Sequence, residues 1–431
     1  MELPSYLKSI DQVLTPSVAV PKTKTDSKNL RFMLVSTHIH QYTGYSKVSY
    51  GILQELSKIP NLDLIHFGFQ KHPQPNPNFR PYPPSIDVID PMDPQGFGIP
   101  SFIDSLKKKN PHVIMLYNDM GIVSRFLEEI RKIPSPRPFK VWVYCDQVYT
   151  SQHQSMIDTM NRDTDRIFTF TTYWKKQLKD QGVTRPLSVL GHGFTPETFF
   201  TVPKDLARKS IKLPEDVFVI MSLNRNQPRK RYDIMIMAFV ELLSRNPTKP
   251  IILLCICDKG EKGGWWLFEI FARELKRKGL PLEQFGNKLM VSSQDMVFKD
   301  EDINILYNTA DIGISTADGE GWGLCTFEQM GVGIPQVVPN IGGHKEYCSA
   351  DNSMVVEPKH RYYMPSVYSA VGGEATVCDP HDVCLAIEEY LNSTEKRLAH
   401  GKKAKETVLG YTWSKAVKDL VRCIEDERDE N

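Results

Sequence analysis

Hydrophobic runs alternate with amphipathic stretches along most of the chain. The apolar run RFMLVSTHIH is followed by a glycine-containing loop, QYTGYS, and then by the amphipathic stretch KVSYGILQELSKI. Short apolar runs are typical of buried strands, and apolar positions three and four residues apart are typical of helices. The same order recurs from PHVIMLYND to FKVWVYCD. The pattern therefore predicts repeated strand, loop and helix units that form a mostly parallel sheet covered on both faces.

A polar stretch at about residues 195–215 divides this pattern into two halves. After it the alternation restarts with VFVIMSLN and YDIMIMAFVELLSR, and helical patterns dominate from about residue 381 onward. Two alternating halves in succession predict an α/β protein with two Rossmann-like domains that face each other across a cleft. We expect a polar N-terminal extension at 1–29, the two domains at 30–200 and 201–400, and a C-terminal helix within 401–431.

Composition and charge narrow the class of protein. Hydrophobic residues make up 41% of the chain and charged residues 24%, which is a globular composition and excludes a mainly disordered chain. The 53 basic and 52 acidic side chains leave a net charge of +1, so we expect no nucleic-acid partner. We also expect neither a transmembrane segment nor a secretory leader, because no run of 18 apolar residues and no leader pattern is present.

The cysteines and one acidic segment give no sign of a metal site. Eight cysteines are ordinary usage and fit a reducing compartment. Cys255 and Cys257 are one residue apart in an apolar run, so small buried thiols are a better interpretation than a zinc clamp. Asp87, Asp90 and Asp93 lie in a proline-rich setting, which favours a loop over a metal-binding motif.

The most informative block lies between residues 311 and 346. A strand pattern ends near Ser315, a glycine-rich turn follows, and a helix pattern starts near Leu324. Glycine lets the backbone approach a ligand closely, and a helix N-terminus attracts phosphate through its free amides. Glu320 in the turn and Glu328 in the helix can both project toward the end of the sheet where such folds bind ligands. These carboxylates could accept hydrogen bonds from sugar hydroxyls, and a tight turn with two surface glutamates is the alternative.

A second block places four cations directly after the strand pattern VFVIMS. They are Arg225, Arg229, Lys230 and Arg231. Arginine offers a forked set of donors and lysine a point charge, and both suit a diphosphate. The block lacks the GxxxxGK[ST] pattern of a P-loop, which disfavours an ordinary nucleoside triphosphatase. A solvated basic turn, or a short nuclear-localisation or RNA-binding patch, is the alternative interpretation.

Together these blocks resemble retaining glycosyltransferases of the GT-B fold, family four, also called glycosyl transferases group 1. In that family two glutamates are separated by seven residues, which Glu320 and Glu328 match. An arginine and a lysine separated by four residues are matched by Arg225 and Lys230. The resemblance covers about residues 30–425 and has further matches at 190–194, 342–346 and 411–414. The sequence around IMLYND, VWVYCD and NRNQPRKR resembles that of glycosyltransferases from large DNA viruses.

The resemblance implies that the chain transfers a sugar with retention from a GDP- or UDP-sugar to a glycan, protein or small-molecule acceptor. Arg225 and Lys230 would neutralise the diphosphate as it leaves. Glu320 would bind hydroxyls of the donor sugar, and Glu328 would hold the ribose. The other donor-binding residues that it implies are Gly44, Asn226, Met296, Val297, Gly321, Trp322, Gly323 and Leu324.

The resemblance also implies an overall arrangement. The first domain would bind the acceptor, the second the nucleotide-sugar donor, and the C-terminal helix would pack back on the first domain. No metal ion or other cofactor is expected, because arginine, lysine and the helix N-terminus would carry the charge. We expect a cytoplasmic protein, with a virus factory or the membrane periphery as alternatives.

The chain departs from the family pattern at one position. Many members have a histidine after the strand that reads VWVYCD here, where this chain has Asp146. Asp146 could be the polar catalytic group near the reacting centre, or it could cap the following helix. His38, His40 and His344 are interpreted first as structural residues. Two other functions stay open, namely another GT-B-type enzyme such as a phosphorylase or an epimerase, and a non-catalytic subunit that binds a sugar nucleotide.

Overall fold

The computed structural model describes residues 29–74, 79–91, 93, 96–257, 263–292, 298–364 and 373–430. Within these ranges the chain forms two parallel sheets with helices around them. Alternate residues of the first strand belong to different hydrophobic clusters, Phe32 to one and Met33 to another, so both faces of that sheet are buried. The predicted class, an α/β protein with two Rossmann-like sheets of the GT-B type, is confirmed.

The first sheet has seven strands in the order β3-β2-β1-β4-β5-β6-β7. Its strands are β1 (Leu30–Thr37), β2 (Leu62–Phe69), β3 (Asp87–Ile89), β4 (Val113–Asp119), β5 (Lys140–Asp146), β6 (Arg166–Thr169) and β7 (Leu187–Val189). The helices between them are α1 (Gly44–Leu56), α2 (Ile99–Lys109), α3 (Met120–Ile130), α4 (Gln154–Asp163) and α5 (Thr172–Asp180). We call this sheet and these helices the first domain.

The second sheet has six strands in the order β10-β9-β8-β11-β12-β13. Its strands are β8 (Phe218–Leu223), β9 (Ile251–Ile256), β10 (Leu289–Val291), β11 (Ile312–Ile314), β12 (Gln336–Pro339) and β13 (Ser353–Val356). A hairpin of β14 (His360–Tyr363) and β15 (Glu374–Val377) follows. The helices of this part are α6 (Lys204–Ser210), α7 (Tyr232–Arg245), α8 (Leu267–Arg277), α9 (Leu282–Phe285), α10 (Asp300–Thr309), α11 (Leu324–Gly331), α12 (His344–Tyr347), α13 (Pro380–Asn392) and α14 (Thr394–Leu409). We call it the second domain.

The carboxyl ends of the two sheets face each other, and this arrangement positions the site. One hydrophobic cluster is continuous across the boundary, with Trp142 of the first sheet and Met221 of the second among its members. All paired strands of both sheets run parallel, so their carboxyl ends lie at one edge of each sheet. The loops after β1, β4, β5, β8 and β11 therefore meet in the cleft.

The last helices, α15 (Trp413–Ala416) and α16 (Lys418–Glu430), lie against the first domain. Trp413 packs where Gly51 and Gly193 leave room, because a Cβ at Gly51 would lie 2.3 Å from its ring. The backbone N–H of Phe194 donates to Tyr411 O at 2.7 Å. Leu420 joins the same hydrophobic cluster as Phe32 of β1.

Some details were not apparent from the sequence pattern. The proline-rich segment contributes β3 at the edge of the first sheet, a position that tolerates missing backbone donors. The polar stretch between the halves contains α6, and the hairpin β14–β15 gave no clear signal. Cys255 and Cys257 are both buried. None of the helices in the described ranges combines the length and hydrophobicity that crossing a membrane requires.

Candidate active site

A cavity of about 880 Å³ lies between the carboxyl ends of the two sheets, a size typical of ligand pockets. The first domain lines it with the loop after β1, the start of α1 and the ends of β4 and β5. The second domain lines it with residues 223–225 and 227–231 after β8, and with much of the segment 318–328 after β11. The cavity is thus formed by the loops that the sequence pattern singled out.

Glu320 lies in this cavity as the centre of a group of charges. Its Oε2 accepts a hydrogen bond from Lys230 Nζ and lies 3.3 Å from Arg229 Nη1. Burial alone would raise the pKa of the Glu320 carboxyl, but the two cations outweigh it and lower this pKa to about 2. Glu320 is therefore a carboxylate at any pH at which the protein works, and its two cations are held at a fixed place.

Arg225 and Asn226 are placed differently from Lys230. The Arg225 side chain is exposed on the wall of the cavity and makes no contact with Glu320, whereas Arg229 does. Asn226 is buried and turned away, since its amide exchanges two hydrogen bonds with the backbone of Trp265 at 2.8 and 2.9 Å. Asn226 thus fixes the segment at Trp265, which itself lines the cavity.

Glu328 is buried one turn into α11 and is contacted from the first domain. Lys47 Nζ donates to its two oxygens at 2.7 and 2.9 Å, and Tyr307 donates its hydroxyl at 2.9 Å. Lys47 also lies 3.4 Å from Asp300, which in turn receives a forked pair of hydrogen bonds from Arg80. These four charges form an interdomain ion-pair network that runs along the edge of the cavity.

The turn before α11 brings backbone groups to the cavity. Gly321, Trp322, Gly323 and Leu324 all line it, and Gly323 has a φ of +90°, a conformation that favours glycine. Gly44, the first residue of α1, approaches this helix end from the other domain, because a Cβ there would lie 3.0 Å from Leu324 Cδ1. The free amides at the start of α11 therefore face a narrow gap between the domains.

Asp146 lies in the cavity and caps no helix. The following helix α4 has His153 at its N-cap position. Asp146 Oδ2 accepts a hydrogen bond from Tyr45 at 2.6 Å, and its Oδ1 lies against Gly321, where a Cβ would come within 2.0 Å. Burial raises the pKa of the Asp146 carboxyl to about 6, although Tyr45 and Arg229 act in the opposite direction. Asp146 therefore lines the cavity and is not the N-cap of the following helix.

Other residues named from the sequence lie elsewhere. Met296 and Val297 lie outside the described residues. His38 and His40 pack against each other in the first domain, with ring centroids 4.9 Å apart, and do not line the cavity. His344 is buried behind the glycine-rich turn, and burial lowers its pKa to about 4.

The sequence reasoning missed several cavity residues or gave them no individual role. Tyr45, Lys47, Asp119 and Arg229 are among them. Arg229 was visible as one of four clustered cations, and Asp119 ends a strand as Asp146 does. Tyr45 and Lys47 follow Gly44 of the first loop. This glycine was the only local feature of the sequence that could have placed them near a ligand.

The hairpin β14–β15 forms a second link between the domains. Tyr149 of the first domain and Tyr362 of the hairpin both donate their hydroxyls to Asp318, Tyr149 at 3.0 Å. The backbone of Thr150 also pairs with Glu374 in an isolated antiparallel bridge. The cavity therefore lies between two interdomain links, the ion-pair network on one side and the hairpin on the other.

The described residues include no group of three or more His, Cys, Asp or Glu side chains arranged to hold a metal ion. Three of the carboxylates that line the cavity, Asp300, Glu320 and Glu328, are instead paired with lysine or arginine.

Comparison with known proteins agrees with this geometry. Residues 203–362 match the family model Glycosyl transferases group 1. The matched segment lies within the second domain. A D-inositol 3-phosphate glycosyltransferase of Catenulispora acidiphila is 25% identical over 249 residues, which cover 56% of this chain and 52% of that protein. The chain thus aligns with about half the length of this curated relative.

Solved structures extend the likeness to both domains of the fold. Sucrose-phosphate synthase from Thermosynechococcus elongatus superposes with a TM-score of 0.71 at 14% identity, covering 94% of this chain and all of that chain. Anabaena HepE in complex with UDP and glucose gives 0.67 at 13% identity, covering 92% of this chain and all of that chain. At such identities the likeness concerns the fold. These proteins do not test the resemblance to viral enzymes, which stays a prediction.

Proposed function

We propose that this chain is a retaining glycosyltransferase that moves a sugar from a GDP- or UDP-sugar to an acceptor hydroxyl without a metal ion. The observation that supports this most strongly is the group of Glu320, Lys230 and Arg229 beside the start of α11. Cations and free helix amides suit a diphosphate, and a carboxylate beside them suits sugar hydroxyls. The solved complex of HepE with UDP and glucose supports a nucleotide sugar as the donor.

In this proposal the second domain stabilises the leaving group. Negative charge builds up on the diphosphate as its bond to the sugar breaks, and fixed cations stabilise that charge without reorganisation. For this role Lys230 is buried and Arg229 half-buried beside Glu320, and Arg225 lines the same cavity. Glu320 would orient the donor sugar through its hydroxyls, and Glu328 would hold the ribose.

The first domain supplies Asp146 to the reacting centre. Asp146 contacts Gly321 and therefore lies beside the turn that carries Glu320. In the proposed mechanism it occupies the place of the histidine that many family members have. Its hydrogen bond from Tyr45 fixes the orientation of the carboxylate.

Nucleotide binding is the first test. UDP, GDP or ADP at 100 times its Kd should stabilise the protein by about 2.7 kcal/mol, which thermal denaturation detects. Arg229→Ala/Lys230→Ala should abolish the shift for the nucleotide that binds. The exposed pair Arg273→Ala/Lys276→Ala on α8 is the matched control and should retain it. If none of the nucleotides raises Tm, the donor site is wrong.

Turnover separates the enzyme from a non-catalytic subunit. Donor hydrolysis or transfer, followed by NMR, should give a product with the anomeric configuration of the donor. The rate should be unchanged in EDTA if no metal ion takes part. Nucleotide binding without any turnover would favour the alternative, a non-catalytic sugar-nucleotide-binding subunit.

A further inference from the structure

The wall that the first domain gives to the cavity carries two carboxylates side by side. Asp119 and Asp146 end the neighbouring strands β4 and β5, and they are partners in the register of that pair. Neighbouring strands lie about 4.8 Å apart, so the two side chains leave the sheet edge next to each other. Both residues line the cavity.

Both carboxylates can still accept hydrogen bonds. Asp119 Oδ1 accepts the backbone N–H of Ile122 at 3.0 Å and so caps α3. Asp146 Oδ2 accepts from Tyr45, while its Oδ1 is buried without a hydrogen-bond partner in the described part of the chain. A buried carboxylate oxygen without a donor is costly, and a ligand hydroxyl would satisfy it.

The cations of this wall are not available to a ligand. The described first-domain residues that line the cavity include two cations, Lys47 and Arg80. Lys47 is paired with Glu328, and Arg80 binds Asp300 through a forked pair of hydrogen bonds. Neither Asp119 nor Asp146 has an ion-pair partner in the ranges that the structure describes. The wall therefore offers acceptors of hydrogen bonds and no free positive charge.

His192 adds an uncharged polar group to the same cavity. Its ring is 2% exposed, and among the described residues neither ring nitrogen has a hydrogen-bond partner. It lies between Phe170 and Trp322, with ring centroids at 4.6 and 4.8 Å. Burial lowers its pKa to about 3, so it is a neutral imidazole with one donor and one acceptor. Such a group suits a hydroxyl and gives a phosphate no countercharge.

We infer that the acceptor is an uncharged polyhydroxyl compound, a sugar or cyclitol without phosphate, whose hydroxyls bind Asp119 and Asp146. The inference rests on the proposed transferase function. A hydroxyl donates to a carboxylate, whereas a phosphate is itself an anionic acceptor and is repelled by both. Specificity of this kind comes from the cost of the wrong ligand as much as from contacts with the right one.

The proposed reaction balances with such an acceptor. The acceptor oxygen bonds to the anomeric carbon, and the bond from this carbon to the diphosphate oxygen breaks. The hydroxyl proton leaves with the diphosphate. The relative named for D-inositol 3-phosphate is named for a phosphorylated compound, so the two classes of acceptor can be compared directly.

The test compares matched pairs of acceptors on the full-length protein. Each pair joins a neutral compound to its phosphate, namely glucose with glucose 6-phosphate, fructose with fructose 6-phosphate, and myo-inositol with inositol 3-phosphate. The donor is the nucleotide sugar that the protein hydrolyses fastest. The neutral member of a pair should have a kcat/KM at least tenfold higher. Asp119→Asn keeps a side chain that can cap α3 and removes the negative charge. It should therefore lower the ratio of kcat/KM for the neutral acceptor to kcat/KM for the phosphorylated acceptor about tenfold. Asp119→Ser is the second variant if the first does not fold.

Asp379→Asn is the control, because Asp379 caps α13 in the same way by accepting the His381 N–H at 2.8 Å, outside the cavity. Its acceptor ratio should equal that of the wild type. A preference for the phosphorylated member would overturn the inference, and so would an unchanged ratio in Asp119→Asn. Use of no sugar, with nucleotide binding and donor hydrolysis intact, would overturn it too. Loss of nucleotide binding would instead contradict the proposed function.

Discussion

Lys47 of the first domain lies 2.7 Å from Oε1 of Glu328 in the second, although the two residues are 281 positions apart. The side chains are 18% and 6% exposed, so this is a largely buried ion pair. Lys47 also neutralises Asp300. The relative position of the domains is therefore coupled to a carboxylate that faces the cavity.

Lys47→Met should destabilise the protein by about 3 kcal/mol, because removal of one partner leaves a buried carboxylate unpaired. Urea unfolding measures the change. Lys47→Met/Glu328→Gln should recover part of the loss, since no unpaired charge then remains at Glu328. Lys58→Met breaks the exposed Lys58–Glu55 pair at the end of α1 and is the matched control, with an expected change of less than about 1 kcal/mol. Equal losses for Lys47→Met and Lys58→Met would contradict a buried network.

Glu320→Gln should separate nucleotide binding from transfer. The change removes the carboxylate that neutralises Lys230 and Arg229, so both cations become available to a diphosphate. We expect the bare nucleoside diphosphate to bind at least as tightly as in the wild type. Sugar transfer should fall on the order of 100-fold, because the donor sugar loses its orienting group. Calorimetry measures the affinity for the nucleoside diphosphate, and initial rates measure sugar transfer. If affinity and rate fell together, the role of Glu320 would be structural.

The stability of the first domain should fall as the pH is lowered from about 6.5 toward 4. His66 is fully buried, and burial together with His38 lowers its pKa to about 3. Below pH 6.5 the unfolded chain therefore binds a proton at His66, whereas the folded chain does not. The free energy of unfolding falls as the pH is lowered for this reason. One such histidine contributes at most about 1.4 kcal/mol per pH unit.

His66→Gln should reduce that slope, as measured by denaturation midpoints at several pH values. Asp146 acts in the opposite sense, because its raised pKa makes the folded state bind the extra proton. It is present in both proteins, so its effect cancels in the difference. His153→Gln at an exposed position is the control. The same slope in His66→Gln and wild type would show that another group dominates.

Gly51→Ala should destabilise the protein although alanine favours helices by about 1 kcal/mol over glycine. The new Cβ would lie 2.3 Å from the ring of Trp413, and such overpacking costs about 1–3 kcal/mol. Thermal unfolding measures the net effect. In a Trp413→Leu background the same change should be neutral or stabilising. A loss of equal size in both backgrounds would mean that the ring is not the cause.

The sequence predicted those features of the fold that depend on local patterns. Alternating apolar runs marked most strands of both sheets, and a helix was predicted to start near Leu324, where α11 begins. Glu320 and Lys230 could be named together because two separate motifs each follow a strand. Asp146 was noticed because it ends a strand where many family members have a histidine.

The contacts between the domains could not be predicted in this way. Lys47 is an ordinary polar residue of an amphipathic helix until α11 is placed opposite it. Arg225 and Arg229 lie four residues apart in one basic segment, and of the two it is Arg229, in the three-residue helical turn at 228–230, that contacts Glu320. Such choices depend on geometry that arises after both sheets have packed.

The packing of Trp413 into the space left by Gly51 and Gly193 bears on how the protein is made. The surface of the first domain is completed by residues 411–430, which a ribosome adds after the whole second domain. Until then part of the hydrophobic cluster around β1 has no cover. The first domain therefore cannot reach its final packing during its own synthesis, and a nascent chain would expose this surface to chaperones for as long as the second half is translated.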